Sequence, residues 1–270
     1  QAMTKRLAVI VFTMFCLVHC SKAAFLNVKF CYEENEQAPY ILGTDTVPHT
    51  EPGILVELVS EASKVAKIKP RFIRRPWLRC QKMVKLGQAQ GLFAMIKTEP
   101  RLAHFKFPNL DHQYLLQGQY VIFYKRGPAA RARMEQLAHQ LLTRQPVTER
   151  LQHGLGAPLG YVVSGLLQQQ KLLTEGVTQM PQALIMISKD RLDGFVADKY
   201  IGIKNLMAHK DGHHLAFTTT PVLVDAWYAT FNKSFYQMQS KKIERFWQAV
   251  TSLRGKYQVR LENNTNDRPD

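Results

Sequence analysis

The sequence predicts an α/β protein, and three observations carry the prediction. Strand-like and helix-like hydrophobic patterns alternate along the chain. The run Leu92-Phe93-Ala94-Met95-Ile96 is apolar at every position, as in a strand buried on both faces. The alternation resumes beyond Lys125-Arg126-Gly127-Pro128, so two units of similar size are expected, with largely parallel strands. The chain has 270 residues, 46% hydrophobic and 21% charged, which suits one large or two ordinary domains. That hydrophobic share excludes wholesale disorder, a collagen-like fibre and a polytopic membrane protein.

The elements follow in order. Leu26-Asn27-Val28-Lys29-Phe30 alternates apolar and polar residues as a strand does. Gly53 opens a helical pattern that puts Ile54, Leu55, Leu58, Val59, Ala62, Val65 and Ala66 on one face. Arg71-Phe72-Ile73 reads as a strand ended by Pro76, and a helix from Trp77 to about Leu86 stops at Gly87. After the 92–96 strand, Thr98 is placed to cap a short helix that carries Arg101 one turn in. An extended segment over residues 114–124 reaches the 125–128 break. Beyond it come a helix over 129–142, a Gly-rich stretch over 154–160, and helices over 162–170 and 181–188. The strand Gly194-Phe195-Val196-Ala197 is next, then strands over 222–224 and 226–231. A helix over 235–253 closes the pattern, with Ile243, Phe246, Trp247 and Val250 on one face.

The N-terminus has the layout of a secretory signal peptide over residues 1–24. Lys5 and Arg6 precede an uncharged apolar run over 7–18, followed by Cys20, Ser21, Lys22, Ala23 and Ala24. The run is about 12 residues, against the roughly 20 that a bilayer-crossing helix needs. Lipid attachment at Cys20 is the alternative, and a bulky His19 before it fits that poorly. An exported, periplasmic protein is therefore expected. Loss of the leader removes Cys16 and Cys20 and leaves Cys31 and Cys80, either a disulfide or two separate buried thiols.

Charge and motifs narrow the function classes. Lys and Arg number 36 against 21 Asp and Glu, a net +15 that falls to +12 without Lys5, Arg6 and Lys22 of the leader. Ten of the basic residues fall between Ala62 and Thr98, where there is no acid. Such a stretch reads as a solvated face or as a polyanion- or envelope-binding patch, while an export signal argues against nucleic acid. There is no Gly-x-Ser-x-Gly elbow, HExxH pair or CxxC pair, so no catalytic residue, metal or cofactor is expected. His209, His213 and His214 lie in a polar stretch that reads as a solvated loop rather than a metal site. The 154–160 stretch lacks phosphate-loop spacing and reads as a strand-to-helix turn with N–H groups suited to an anion. Arg101, just past a buried strand, has the planar fork that suits a carboxylate.

The run from Gly87 to Arg101, preceded by Pro76-Trp77 and the Gly53 helix, resembles the family 3 extracellular solute-binding proteins. These are bilobed periplasmic receptors for amino acids and similar polar solutes. Phe30-Cys31-Tyr32 through Ala38-Pro39-Tyr40 is similar to the first strand and ligand loop of that family. Gly160-Tyr161 falls where the second lobe presents a helix N-terminus, and the run from Arg191 to Asp198 resembles a late strand ending in a ligand-facing acid. The motif Pro76-Trp77-Leu78-Arg79-Cys80 with Cys31-Tyr32-Glu33 is similar to a divergent proteobacterial branch.

The resemblance implies a type II periplasmic binding fold of two α/β lobes. Lobe 1 would comprise residues 25–123 and 216–262, lobe 2 residues 124–215, with two crossing segments as hinge and a polar tail over 263–270. It implies Arg101 for a ligand carboxylate, Asp198 for a ligand ammonium and the Tyr161 backbone N–H as a further carboxylate donor. Thr98 completes the polar set, and Tyr32, Tyr40 and Trp77 would supply walls. Gln37, Ile96 and Val162 depart from the family pattern, which places an aromatic residue at the first position and hydroxyls at the other two. The implied function is non-catalytic capture of a small polar solute by a monomer, for an ABC transporter permease or a membrane sensor. The alternatives are a small-acid dehydratase on the same scaffold and a polyanion- or envelope-binding protein.

Overall fold

A computed structural model describes residues 25–44 and 50–263; the expected leader and the tail from 264 onward lie outside the described residues. The chain runs β1 (Leu26–Glu33), α1 (Ile54–Val65), β2 (Ile68–Arg75), α2 (Trp77–Lys85), β3 (Gly91–Ile96), α3 (Glu99–Leu102), β4 (Phe105–Lys106) and β5 (Leu116–Lys125). It continues with α4 (Pro128–Leu142), β6 (Leu155–Gly156), α5 (Val162–Gln169), α6 (Met180–Ser188), β7 (Gly194–Asp198) and α7 (Lys199–Ala208). A 3-10 turn (Gly212–His214), β8 (Leu215–Phe217), β9 (Leu223–Asn232) and α8 (Lys233–Asn263) complete it.

The strands join in the order β2-β1-β3-β9-β5-β7-β6. β1 is parallel to β2 and β3, and β6 is parallel to β7. The pairings between these two groups are antiparallel, so the sheet is mixed rather than largely parallel. The reason lies in chain direction. β5 carries the chain out of the first group and β9 brings it back, so the two must run in opposite senses. Each spends one half of its length on the other: Leu116 to Tyr120 of β5 face Trp227 to Leu223 of β9. The other half of β5 pairs with β7 and the other half of β9 with β3. The strands expected over 222–224 and 226–231 are thus one strand, unbroken at Asp225.

The largest apolar cluster runs through both halves, and another lies in the second half. In the first half, Phe30 packs against Phe93, Phe231 and Phe246 at centroid distances of 5.6–6.3 Å, and Trp247 is fully buried behind them. Burial of each such ring stabilises by roughly 1.5–3 kcal/mol. The apolar stripe of α1 meets α8, although Val65, expected on that stripe, is 47% exposed in the last turn. In the second half, Val121 and Phe123 of β5 pack with Leu184 and Ile187 of α6 and with Phe195 of β7. Cys31 and Cys80 form a disulfide with a Cα separation of 5.3 Å that fastens β1 to α2.

Of the ten basic residues between Ala62 and Thr98, Arg74 is buried. Its guanidinium donates to the Tyr32 hydroxyl at 2.8 Å and to the Leu42 carbonyl at 2.6 Å, and also to the Gly43 carbonyl. It is an internal pin for the loop after β1, while the other nine are exposed or half-buried.

Candidate functional site

A cavity of about 590 Å³ opens between the two halves of the molecule. One wall is the loop after β1, from Glu33 to Ala38, with Trp77 and Leu78 at the start of α2. The facing wall holds Leu159 and Tyr161 before α5, Asp198 at the end of β7, and Lys204 on α7. Tyr120 of β5 and Trp227 of β9 lie where the two walls meet.

Backbone geometry prepares this floor. A Cβ on Gly118 would come within 2.5 Å of the Trp227 indole, so a glycine is what allows the ring to lie across β5. In β3 the pairing with β9 shifts register between Leu92 and Met95, with Ala94 at φ 68°, and Phe93 and Ala94 line the cavity at that bulge.

Glu33 ends β1 and is 7% exposed. Its Oε1 accepts from the Glu34 and Asn35 backbone N–H groups at 3.0 and 3.3 Å and from Asn35 Nδ2 at 3.1 Å. Burial raises its pKa above the ordinary 4.5, with those backbone donors pulling the other way. Tyr161 bridges the walls: its hydroxyl accepts from Gln37 Nε2 and donates toward Glu33 Oε2 at 3.5 Å, and its ring lies 6.0 Å from Trp77. The Tyr161 backbone N–H donates to the Pro158 carbonyl at 3.3 Å, so this residue meets the cleft through its ring and hydroxyl.

Asp198 is buried and caps α7. Oδ1 accepts from the Tyr200 and Ile201 backbone N–H groups at 3.0 and 3.3 Å, and Oδ2 from the Gln119 N–H at 3.2 Å. Burial pushes its pKa up to about 7 against the pull of these donors. The helix it caps has a weak sequence pattern, with only Gly202 and Ile203 buried, which explains why α7 was not foreseen over 199–208.

Arg101 lies just beyond the cavity lining, in α3. Its guanidinium donates to the Ile96 carbonyl at 2.9 Å on its own side and to the Gly160 carbonyl at 3.1 Å on the other. Burial lowers its pKa below the usual arginine value. Thr98 precedes α3, but its side chain makes no capping bond; its carbonyl accepts from the Arg101 and Leu102 N–H groups at 3.0 and 2.9 Å. Tyr32 is a core residue, stacked on Phe93 at 5.3 Å, and Tyr40 packs its ring on Trp227 at 4.8 Å from behind. The cavity therefore gathers Trp77, Tyr161 and Asp198 from the expected set and leaves Arg101, Thr98, Tyr32 and Tyr40 outside its lining.

Sequence reasoning did not single out Glu33, Tyr120, Trp227 or Lys204. The run Glu33-Glu34-Asn35-Glu36 directly after a strand, in a strongly basic chain, was the available signal. Among the described residues no group of three or more His, Cys, Asp or Glu is placed to hold a metal ion, and His213 and His214 stand on the 3-10 turn.

No protein-family profile and no curated protein sequence matches the chain. Solved structures do. A histidine kinase sensor domain with similarity to periplasmic binding proteins superposes with a TM-score of 0.66 at 14% identity, covering 90% of this chain and 97% of that one. The fold is that of the type II periplasmic binding proteins. A mutant of ArgBP from T. maritima superposes with a TM-score of 0.65 at 12% identity, covering 88% of this chain and 94% of that one. An ABC uptake transporter substrate-binding protein from Streptococcus pneumoniae with bound histidine gives 0.62 at 13% identity, covering 88% and 92%. A type II periplasmic binding fold has two lobes, and here β5 and β9 are the paired strands that pass between the two halves beside the cavity. Among the described residues no helix is long and apolar enough to cross a membrane.

Proposed function

We propose that the protein is a periplasmic solute-binding protein that captures a small polar solute, an amino acid or a related compound, without catalysis. The observation that carries this reading is the cleft of about 590 Å³, walled by both lobes and floored by the two hinge strands. A cavity of that size, apolar with a few polar groups, suits a small ligand. Closure of the lobes would exclude water and strengthen every polar contact inside. The neighbours in fold include proteins described with bound histidine or arginine and a kinase sensor domain, which supports solute capture for either an ABC transporter or a sensor.

The lobe limits in this reading are 25–123 with 216–262, and 124–215, with the change of lobe inside β5, so that Val121 and Phe123 at the end of the first segment already pack on lobe 2. Trp77, Tyr161 and Asp198 are assigned to ligand contact, Arg101 with Thr98 to the edge of the cleft, and Tyr32 and Tyr40 to support from behind. Export through the leader over 1–24 places the protein in the periplasm.

The test is a thermal-shift screen of the purified protein against amino acids, organic acids, polyamines and small peptides. A ligand at 100 times its Kd adds about 2.7 kcal/mol of stability, a readily measured rise in Tm. Absence of any shift across all four classes would overturn solute capture.

A further inference from the structure

The cleft carries the opposite charge to the protein around it. The chain is +15 overall, yet the cavity is lined by Glu33, Glu34, Glu36 and Asp198, with Lys204 the one Lys or Arg among the described lining residues. Arg101, the other nearby cation, spends its guanidinium on the Ile96 and Gly160 carbonyls.

Glu33 is the informative acid. It is nine-tenths buried, and its Oε1 already takes three donors. Among the described residues its Oε2 has only the Tyr161 hydroxyl at 3.5 Å, beyond the 2.5–3.0 Å usual for an O–H···O bond. A buried carboxylate oxygen short of a close donor is costly, and a donor supplied by a guest would relieve that cost. A second observation at the floor of the same cleft points to a guest. The Trp227 indole N–H, on a residue only 4% exposed, interacts with the Tyr120 hydroxyl but meets no acceptor at full hydrogen-bonding geometry within the described residues, which leaves room there for an acceptor elsewhere on the guest. The Tyr161 ring, whose hydroxyl reaches toward Glu33, stands 6.0 Å from the Trp77 ring in the same cavity lining, and π faces attract cations and repel anions.

We propose that the guest of this cleft is an organic cation whose ammonium or guanidinium group docks on Glu33 Oε2 beside the Tyr161 and Trp77 rings. The proposal rests on the solute-capture reading and narrows its ligand class. It locates selectivity in the loop after β1, so a free carboxylate on the ligand is not required.

Isothermal titration of the purified protein with agmatine, glutamine and glutamate tests it. Agmatine carries a guanidinium and an amine and no carboxylate; glutamine is a neutral zwitterion; glutamate is an anion. Agmatine should bind, more weakly as salt rises, and glutamate should not. Glu33→Gln should cost agmatine about tenfold or more in affinity, the scale of a charge-assisted bond. Glu33→Asp, which keeps the charge on a shorter arm, should fall between and guards against misfolding of the first variant. Glutamate binding as tightly as agmatine, or agmatine affinity unchanged in a folded Glu33→Gln protein, overturns the proposal. If glutamine or glutamate binds and agmatine does not, solute capture stands and the cation assignment falls; if none of the wider screen binds, both fall.

Discussion

The Arg101 guanidinium of the first lobe donates to the Gly160 carbonyl of the second at 3.1 Å. Its other arm holds the Ile96 carbonyl at the end of β3, so one side chain joins the two walls of the cleft. Arg101→Ala should remove both bonds and leave two carbonyls without this donor, a loss of about 1–3 kcal/mol. The ligand-free protein should then become less stable and more open, seen as a lower Tm and a larger radius of gyration in solution scattering. Arg101→Lys should rescue little, because one ammonium cannot span two acceptors as a planar fork does. An unchanged radius and Tm in both variants would show that the bridge does not hold the lobes.

Gly160 has φ 77°, and a Cβ there would meet Leu78 Cδ2 at 2.4 Å. Gly160→Ala therefore combines backbone strain with a contact against the facing wall, at a cost of about 1–3 kcal/mol. Solute affinity should fall along with stability, since the clash lies across the cleft. Titration of the variant with a ligand found in the screen checks this, and full affinity would contradict it.

Asp198 has a pKa near 7 in the fold, against 3.8 for an ordinary aspartate. A raised folded pKa means that the protonated form is favoured in the folded state. The contribution is thus complete below about pH 4 and is lost as pH climbs through 7. Chemical denaturation of the wild type and Asp198→Asn between pH 4 and 8 should show wild-type stability falling relative to the variant, by on the order of 1 kcal/mol per pH unit. The variant sets the reference because its amide does not titrate while every other group in the protein still does. A constant gap across that range would place the carboxylate's pKa outside it.

Gly118→Ala should drive the Trp227 indole off β5, because the new methyl would lie 2.5 Å from the ring. Overpacking of this kind costs about 1–3 kcal/mol. The shift should also appear in the tryptophan emission and in a weakened solute titration, as the ring is part of the cleft floor.

Reduction of Cys31–Cys80, or Cys31→Ser with Cys80→Ser, should lower stability by about 2–4 kcal/mol. The bond closes a loop with a sequence separation of 49 that includes α1 and β2. A Tm unaffected by reductant would mean that packing alone holds β1 to α2.

The sequence made the α/β alternation readable because period-2 and period-3.6 patterns are local. α1, α2, β3 and β7 were legible for this reason, each within a few residues. β5 was legible too, expected over 114–124 and found over 116–125, whereas β9 reads as two strands because Asp225 interrupts its apolar run. α7 was not visible at all, since only Gly202 and Ile203 of its residues are buried. For the site, Trp77, Tyr161 and Asp198 could be placed through a family pattern, and all three line the cleft. Glu33 could not, as its position opposite Tyr161 depends on a separation of 128 residues that no local pattern encodes.

β5 and β9 form one hydrogen-bonded ribbon from Leu116–Trp227 to Tyr120–Leu223, not two separate linkers. A two-ply backbone strip resists stretching and sliding but yields to bending across its width. In the proposed reading the lobes would open and shut like a book on a cloth spine rather than glide past one another. Occupation of the cleft by a solute would thereby become a single coordinate, the tilt between α1 and α8 on one cover and α4 and α6 on the other. A partner touching both covers from outside could read that tilt without contacting the solute.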